Sequence, residues 1–162
     1  MTIESKNLTT SELLFYSKGE EKSDLFLEYR RRLKEIGLTE EQINLMQSSD
    51  EANIQKGSYI EEMKKGTFVK CFMNEPIDLE DLTYSELVYI IEYADFGYLH
   101  KRHSASSREM NFFRKHALYM GMCLSKVELR NRMEKIGVTC RQERRFVKIE
   151  KKITRKRMSC KL

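Results

Sequence analysis

The sequence has few residues that break helices and no long hydrophobic run. Its 162 residues include one proline and seven glycines, and the longest apolar stretch is the five residues 87–91. A membrane-spanning helix needs about 20 apolar residues, so we expect no transmembrane segment. The first residues also lack the basic start and apolar core of a signal peptide. These absences predict a cytoplasmic protein.

The residue types of metal and catalytic sites are not arranged in any standard pattern. Four cysteines stand at 71, 123, 140 and 160 without a CxxC pair, which favours reduced thiols over a disulfide framework. His100, His103 and His116 do not have zinc-site spacing. The chain also lacks a glycine-rich phosphate loop and a nucleophile elbow. We therefore expect no metal, no cofactor and no enzymatic activity.

Charge is divided unevenly along the chain. Residues 1–100 carry 11 basic and 20 acidic side chains, whereas residues 101–162 carry 19 and 5, within a net charge of +5. Such asymmetry indicates parts that face different partners. We interpret 1–100 as an acidic helical body for oligomerisation or protein binding, and 101–162 as a basic helical part with a basic C-terminal tail. A homodimer is compatible with this division.

Apolar residues recur at helical spacing, and helix caps lie between the apolar stripes. One stripe consists of Leu25, Phe26, Tyr29, Leu33 and Ile36. Gly37 follows it and suits the left-handed conformation that ends a helix. Thr39 with Gln42, and Thr83 with Glu86, have the spacing of capping boxes. The pattern predicts a mainly α, compact domain of six or seven helices.

Two segments resemble each other at an offset of 100 residues. Residues 32–39 read Arg-Leu-Lys-Glu-Ile-Gly-Leu-Thr, and residues 132–139 read Arg-Met-Glu-Lys-Ile-Gly-Val-Thr. A duplication would explain the resemblance. The general preference for apolar, Gly, apolar, Thr where one helix stops and the next is capped would explain it as well. The sequence leaves both explanations open.

Residues 113–130 resemble the helix-turn-helix motif of DNA-binding regulators. Ala117 stands where a small residue lets two helices approach, Gly121 stands at the turn, and Val127 stands where a branched residue packs the second helix. The resemblance implies a second helix that enters the major groove. One unbroken helix is the alternative, because six apolar residues keep a 3-4-3-4-3 spacing: Met110, Phe113, Ala117, Met120, Leu124 and Val127.

The resemblance also assigns candidate contacts to DNA. The second helix would present Ser125, Lys126, Glu128, Asn131 and Arg132, with Arg132 suited to guanine and Asn131 to adenine. Phosphate contacts position a protein without reading sequence. They would come from five preceding bases: Lys101, Arg102, Arg108, Arg114 and Lys115.

The C-terminal 25 residues are strongly basic, with ten basic and two acidic side chains over 138–162. Phe146, Ile149 and Ile153 have helical spacing, whereas 146–150 also fit a short β wing. This charge density is typical of nucleic-acid binding, although a solvated helix, a membrane surface or an acidic protein would also suit it. The candidate ligands of a polyanion are Arg141, Arg144, Arg145, Lys148, Lys151, Lys152, Arg155, Lys156 and Arg157.

The sequence therefore predicts a non-enzymatic nucleic-acid-binding regulator or accessory factor that binds duplex DNA, ahead of RNA, through its basic part. The alternatives are an RNA-binding protein, or a helical protein–protein interaction module or inhibitor with no nucleic-acid role. DNA reading by the motif needs a helix broken near Gly121. The interaction module favours a continuous helix.

Overall fold

The computed structural model describes residues 4–75, 77–98 and 108–160, and for 70, 73, 96–98, 108–115 and 158–160 it describes the backbone alone. Single 3₁₀ turns at Ser5–Asn7 and Leu79–Asp81 precede α1 and α6, and α6 continues as a π-helical segment over Tyr93–Tyr98. The α-helices are α1 (Thr10–Ser17), α2 (Asp24–Glu35), α3 (Glu40–Gln55), α4 (Ile60–Lys65), α5 (Phe68–Asn74), α6 (Tyr84–Glu92), α7 (Arg108–Lys135) and α8 (Cys140–Cys160).

The mainly α architecture of the described residues is confirmed. The β wing is not formed: residues 146–150 lie inside α8, and the described residues contain no strand. Phe146 and Glu150 both face the core, and their spacing of four residues is that of a buried helix face. No helix in the described part of the chain is long and apolar enough to cross a membrane.

The fold contains the same unit twice. Each unit consists of a 3₁₀ turn, a capped helix and two further helices joined at a glycine. The three helices are α1, α2 and α3 in the first unit and α6, α7 and α8 in the second, with α4 and α5 between the two units. The segment Leu-Thr-x-Ser-Glu-Leu occurs at 8–13 and at 82–87, and a capping box forms in both copies. The resemblance of 32–39 to 132–139 is therefore part of a repeated structural unit.

Hydrogen bonds between the two repeats come in reciprocal pairs. Gln42 Nε2 donates to the Gly137 carbonyl at 2.9 Å, and Gln142 Nε2 donates to the Gly37 carbonyl at 2.8 Å. Gly37 and Gly137 have φ of 98° and 81°, a conformation that side chains disfavour. Each glycine junction thus docks on the first turn of the other repeat's last helix.

The first turns of α1 and α6 meet at the centre of the molecule. The Ser11 amide donates to Ser85 Oγ at 2.9 Å, and the Ser85 amide donates to Ser11 Oγ at 3.4 Å. Both residues are buried. The reciprocal contact defines a local pseudo-twofold relation between the repeats.

Two buried carboxylates complete this centre. Asp50 of α3 accepts hydrogen bonds from the Tyr84 amide and from Ser11 Oγ, both at 3.1 Å. Glu150 of α8 accepts from the Thr10 amide and from Ser85 Oγ, both at 2.9 Å. Each carboxylate therefore satisfies amides at the start of a helix in the other repeat.

Arg32 and Arg132 occupy matching positions and have matching roles. The Arg132 guanidinium donates to the carbonyls of Leu79 and Leu82, both at 2.6 Å, and lies over the Tyr84 ring. Arg32 likewise donates to two carbonyls of the segment before α1. Each arginine holds a 3₁₀ turn against its own repeat.

We expect Arg132→Met to lower the free energy of unfolding by about 2–3 kcal/mol, because two carbonyls lose a charged hydrogen-bond donor. Asn131→Ala, at an exposed neighbouring position, should change it by less than about 0.5 kcal/mol. Urea denaturation measures both values. An Arg132→Met effect as small as that of Asn131→Ala would contradict the structural role.

Stability should depend on pH through the buried carboxyl groups. Burial raises the pKa of Asp50 to about 7, against the opposing effect of its hydrogen bonds from Tyr84 and Ser11. Burial also raises the pKa of Glu86 and of Glu150. The folded protein therefore holds protons that the unfolded chain, with an aspartate pKa of about 3.9, has released.

The melting temperature should consequently fall as the pH rises from about 4 to about 7. Asp50→Asn retains an acceptor for the Tyr84 amide and has no titrating group, so its melting temperature should fall less over the same range. Thermal unfolding followed by circular dichroism gives the two profiles. Parallel profiles for the variant and the wild type would contradict the assignment to Asp50.

Candidate nucleic-acid interface

Helix α8 is fixed in rotation by its buried face. A capping box between Thr139 and Gln142 begins the helix. Phe146, Glu150 and Ile153 face the core, and the hydrogen bonds of Glu150 tie the helix to both α1 and α6. The opposite face is therefore held in a defined position toward solvent.

The outer face of α8 carries a row of cations. Arg141, Arg145, Lys148 and Lys152 are spaced by four, three and four residues, so they follow one line along the helix, and Arg144 lies beside them. All five are exposed, and none pairs with a carboxylate of the described residues. Neighbours along the line are about 5–6 Å apart. We call these five residues the α8 basic row.

The two acids of α8 are both buried. Glu150 is fully buried, and Glu143 is only 8% exposed. Burial is the main cause of the raised pKa of Glu143. Glu143 pairs with Arg130 of α7 and Glu150 with hydrogen-bond donors of the core, so neither forms an ion pair with the row, although the charge of Arg144 acts to lower the pKa of Glu143.

The remaining bases of α8 contribute to tertiary contacts. Lys151 and Arg155 both form ion pairs with Glu92, which is fully buried at the end of α6. Lys156 and Arg157 donate hydrogen bonds to side chains near the start of the chain. These four predicted ligands of a polyanion thus also hold α8 in place.

Helix α3 provides an internal reference for the basic row. The matching capping boxes and buried carboxylates set the offset between α3 and α8 at 100 residues. The positions that correspond to the row are exposed in α3 as well, but they hold one acid and four uncharged residues: Glu41, Asn44, Leu45, Ser48 and Ala52. The fold therefore forms at this place without cations.

The turn implied by the helix-turn-helix resemblance is not formed. Helix α7 runs without a break over Arg108–Lys135, and Gly121 lies inside it. A Cβ atom on Gly121 would lie 2.9 Å from Cε1 of Phe72 on α5. Glycine therefore allows α5 to approach α7 closely, and the alternative of one continuous helix is confirmed.

The residues expected to read bases do not share one surface. Ser125 is fully buried, and Arg132 is held by backbone carbonyls, so neither is presented to a ligand. Lys126 and Asn131 are exposed. They are five residues apart, which places them on different sides of the helix.

The five bases predicted to contact phosphates are described by their backbone at most. Lys101 and Arg102 lie outside the described residues. Arg108, Arg114 and Lys115 belong to residues 108–115 at the start of α7, where the backbone alone is described. Their role stays a prediction.

Two features of the surface were not predicted from the sequence. One is the difference between α3 and α8, which the offset of 100 residues reveals once it is extended past residue 139. The other is the exposure of Met120, Leu124 and Val127, whose spacing fits a core stripe. Spacing alone does not distinguish burial in the protein's own core from contact with another helix.

Comparison with known proteins gave no match to a family model, a curated protein or a solved structure. Among the residues that the structure describes, no cluster of His, Cys, Asp and Glu side chains is suited to a metal ion.

Proposed function

We propose that the protein binds nucleic acid as a non-enzymatic accessory factor, with duplex DNA as the expected ligand ahead of RNA. The observation that carries this proposal is the α8 basic row: five exposed cations that form no ion pair with the described residues, at positions where the matching helix α3 has no cation. Because the fold does not require them, their charge is available for an external anion.

The dimensions of the row suit a phosphate backbone. Arg141 and Lys152 are eleven residues apart, which corresponds to about 17 Å along the helix axis. Duplex DNA carries one negative charge per about 1.7 Å of its axis, so a helix lying beside it meets several phosphates. Arginine guanidinium groups can also donate paired hydrogen bonds to phosphate oxygens.

The proposed binding is independent of base sequence. A recognition helix needs an end that projects into the major groove, whereas α7 continues through Gly121. Ser125 and Arg132 are engaged in the fold. The exposed candidates on α8 are cations suited to the phosphate backbone of the duplex. Phosphate contacts position a protein without specifying sequence.

A helical protein-interaction module is the second candidate function. Its support is the exposed apolar face of α7 at Met120, Leu124 and Val127, because such faces mark sites of protein association. This function requires no binding of nucleic acid, so a direct titration separates the two candidates.

A triple variant tests the basic row. Arg144→Asn/Lys148→Ser/Lys152→Ala gives α8 the residues that stand at the matching positions of α3. If five phosphates are contacted, wild-type affinity for a labelled duplex should fall about 500-fold between about 50 and 200 mM salt. The triple variant should reduce the slope of log affinity against log salt by about 3. Fluorescence anisotropy measures both slopes.

A matched control removes the same net charge elsewhere. Lys18→Gln/Lys22→Ser/Lys65→Ala changes three exposed lysines of the acidic part and should keep the wild-type salt slope. Two duplexes of unrelated sequence should bind equally. Absence of binding at about 50 mM salt, or the same loss in both triple variants, would contradict the proposal. Binding of single-stranded RNA without duplex DNA would support the RNA alternative.

A further inference from the structure

Most of the exposed large hydrophobic side chains of the described residues lie on one helix. They number six in all, and four of them fall within nine residues of α7: Tyr119, Met120, Leu124 and Val127, at 51%, 43%, 52% and 57% exposure. A cluster of this kind on an otherwise charged surface marks a site of association.

Helix α7 is apolar on two opposite faces. Leu118, Met122, Leu129 and Met133 are buried on one face, where α7 packs against α6. Met120, Leu124 and Val127 lie on the other at spacings of four and three residues, the spacing of a helix that pairs with a second helix. One face is thus covered by the protein's own core, and the other is left uncovered.

The uncovered face borders a cationic groove. A cavity of about 290 Å³ leads from Val127 toward α8. One acid is among its described lining residues, Glu143, which is 8% exposed and lies 3.8 Å from Arg130. Apolar side chains and cations form the rest of the lining: Ile91, Leu129, Val147, Lys126, Arg130 and Lys151.

We propose that this face of α7 docks an acidic amphipathic helix of a partner protein. The apolar side chains of the partner would cover Met120, Leu124 and Val127, and its carboxylates would lie over Lys126 and Arg130. This is helix-in-groove recognition with charge complementarity at the border. A second copy of α7 would place the same cations opposite each other, and like charges disfavour that pairing.

Two labelled peptides of three heptads serve as probes for full-length protein. Both have leucine at the a and d positions, and one has glutamate while the other has lysine at e and g, so that repulsion keeps each from pairing with itself. We expect the glutamate peptide to bind with a micromolar Kd. The lysine peptide should bind at least about tenfold more weakly in an anisotropy titration.

Single substitutions assign the binding to α7. Leu124→Gln and Lys126→Glu should each weaken binding of the glutamate peptide at least about fivefold, and Lys126→Glu should strengthen binding of the lysine peptide. Leu27→Gln is the matched control, since Leu27 of α2 is 55% exposed, and it should leave the affinity unchanged. The three positions are exposed, so thermal unfolding should show the wild-type transition.

The proposal has clear contrary outcomes. It is overturned by absence of glutamate-peptide binding at about 100 µM protein, by equal binding of the two peptides, or by unchanged binding in Leu124→Gln. Sedimentation equilibrium adds a further test. A dimer that dissociates in Leu124→Gln would show that a second copy covers the face, and this too would overturn the proposal.

Discussion

Asp50 and Glu150 each accept hydrogen bonds at the first turn of a helix that belongs to the other repeat. A buried carboxylate is costly unless its oxygens are hydrogen-bonded, and a buried helix start is costly unless its amides are satisfied. Each repeat supplies a carboxylate that accepts a hydrogen bond from a helix-start amide of the other repeat, and Ser11 and Ser85 link the two sites. The association of the repeats, and with it the position of every outer helix face, depends on this exchange.

Because the exchange fixes α3 and α8 by the same kind of contact, their outer faces are free to differ. One face holds Glu41 and uncharged residues, and the other holds the α8 basic row. The two helices therefore share their buried contacts and differ in their solvent-facing residues. The bases that serve the fold have partners within it: Arg32 and Arg132 donate to backbone carbonyls, and Lys151 pairs with the buried Glu92. Solvent-facing bases such as Lys148 are the ones left for a ligand.

The second repeat also carries the longer helix pair. Gly121 allows Phe72 to pack closely on α7, whereas Leu124 and Val127 of the same helix are exposed. The basic row and this apolar face lie on different helices, so substitutions can affect one without the other. A nucleic acid and a helical partner would accordingly use separate surfaces of the same repeat, with their cations contributing to one positive field.

The sequence by itself determined the mainly α class, the helix caps and the charge asymmetry, because these depend on neighbours within a few residues: the Thr39 capping box and the left-handed Gly37 form as expected. Tertiary structure alone decided which face of a helix is covered. It buried Ser125, turned Arg132 toward carbonyls and left Leu124 in solvent. Periodicity shows which side chains share a face, but the partner of that face comes from distant parts of the chain, and the hydrogen bonds that choose it span up to 150 residues.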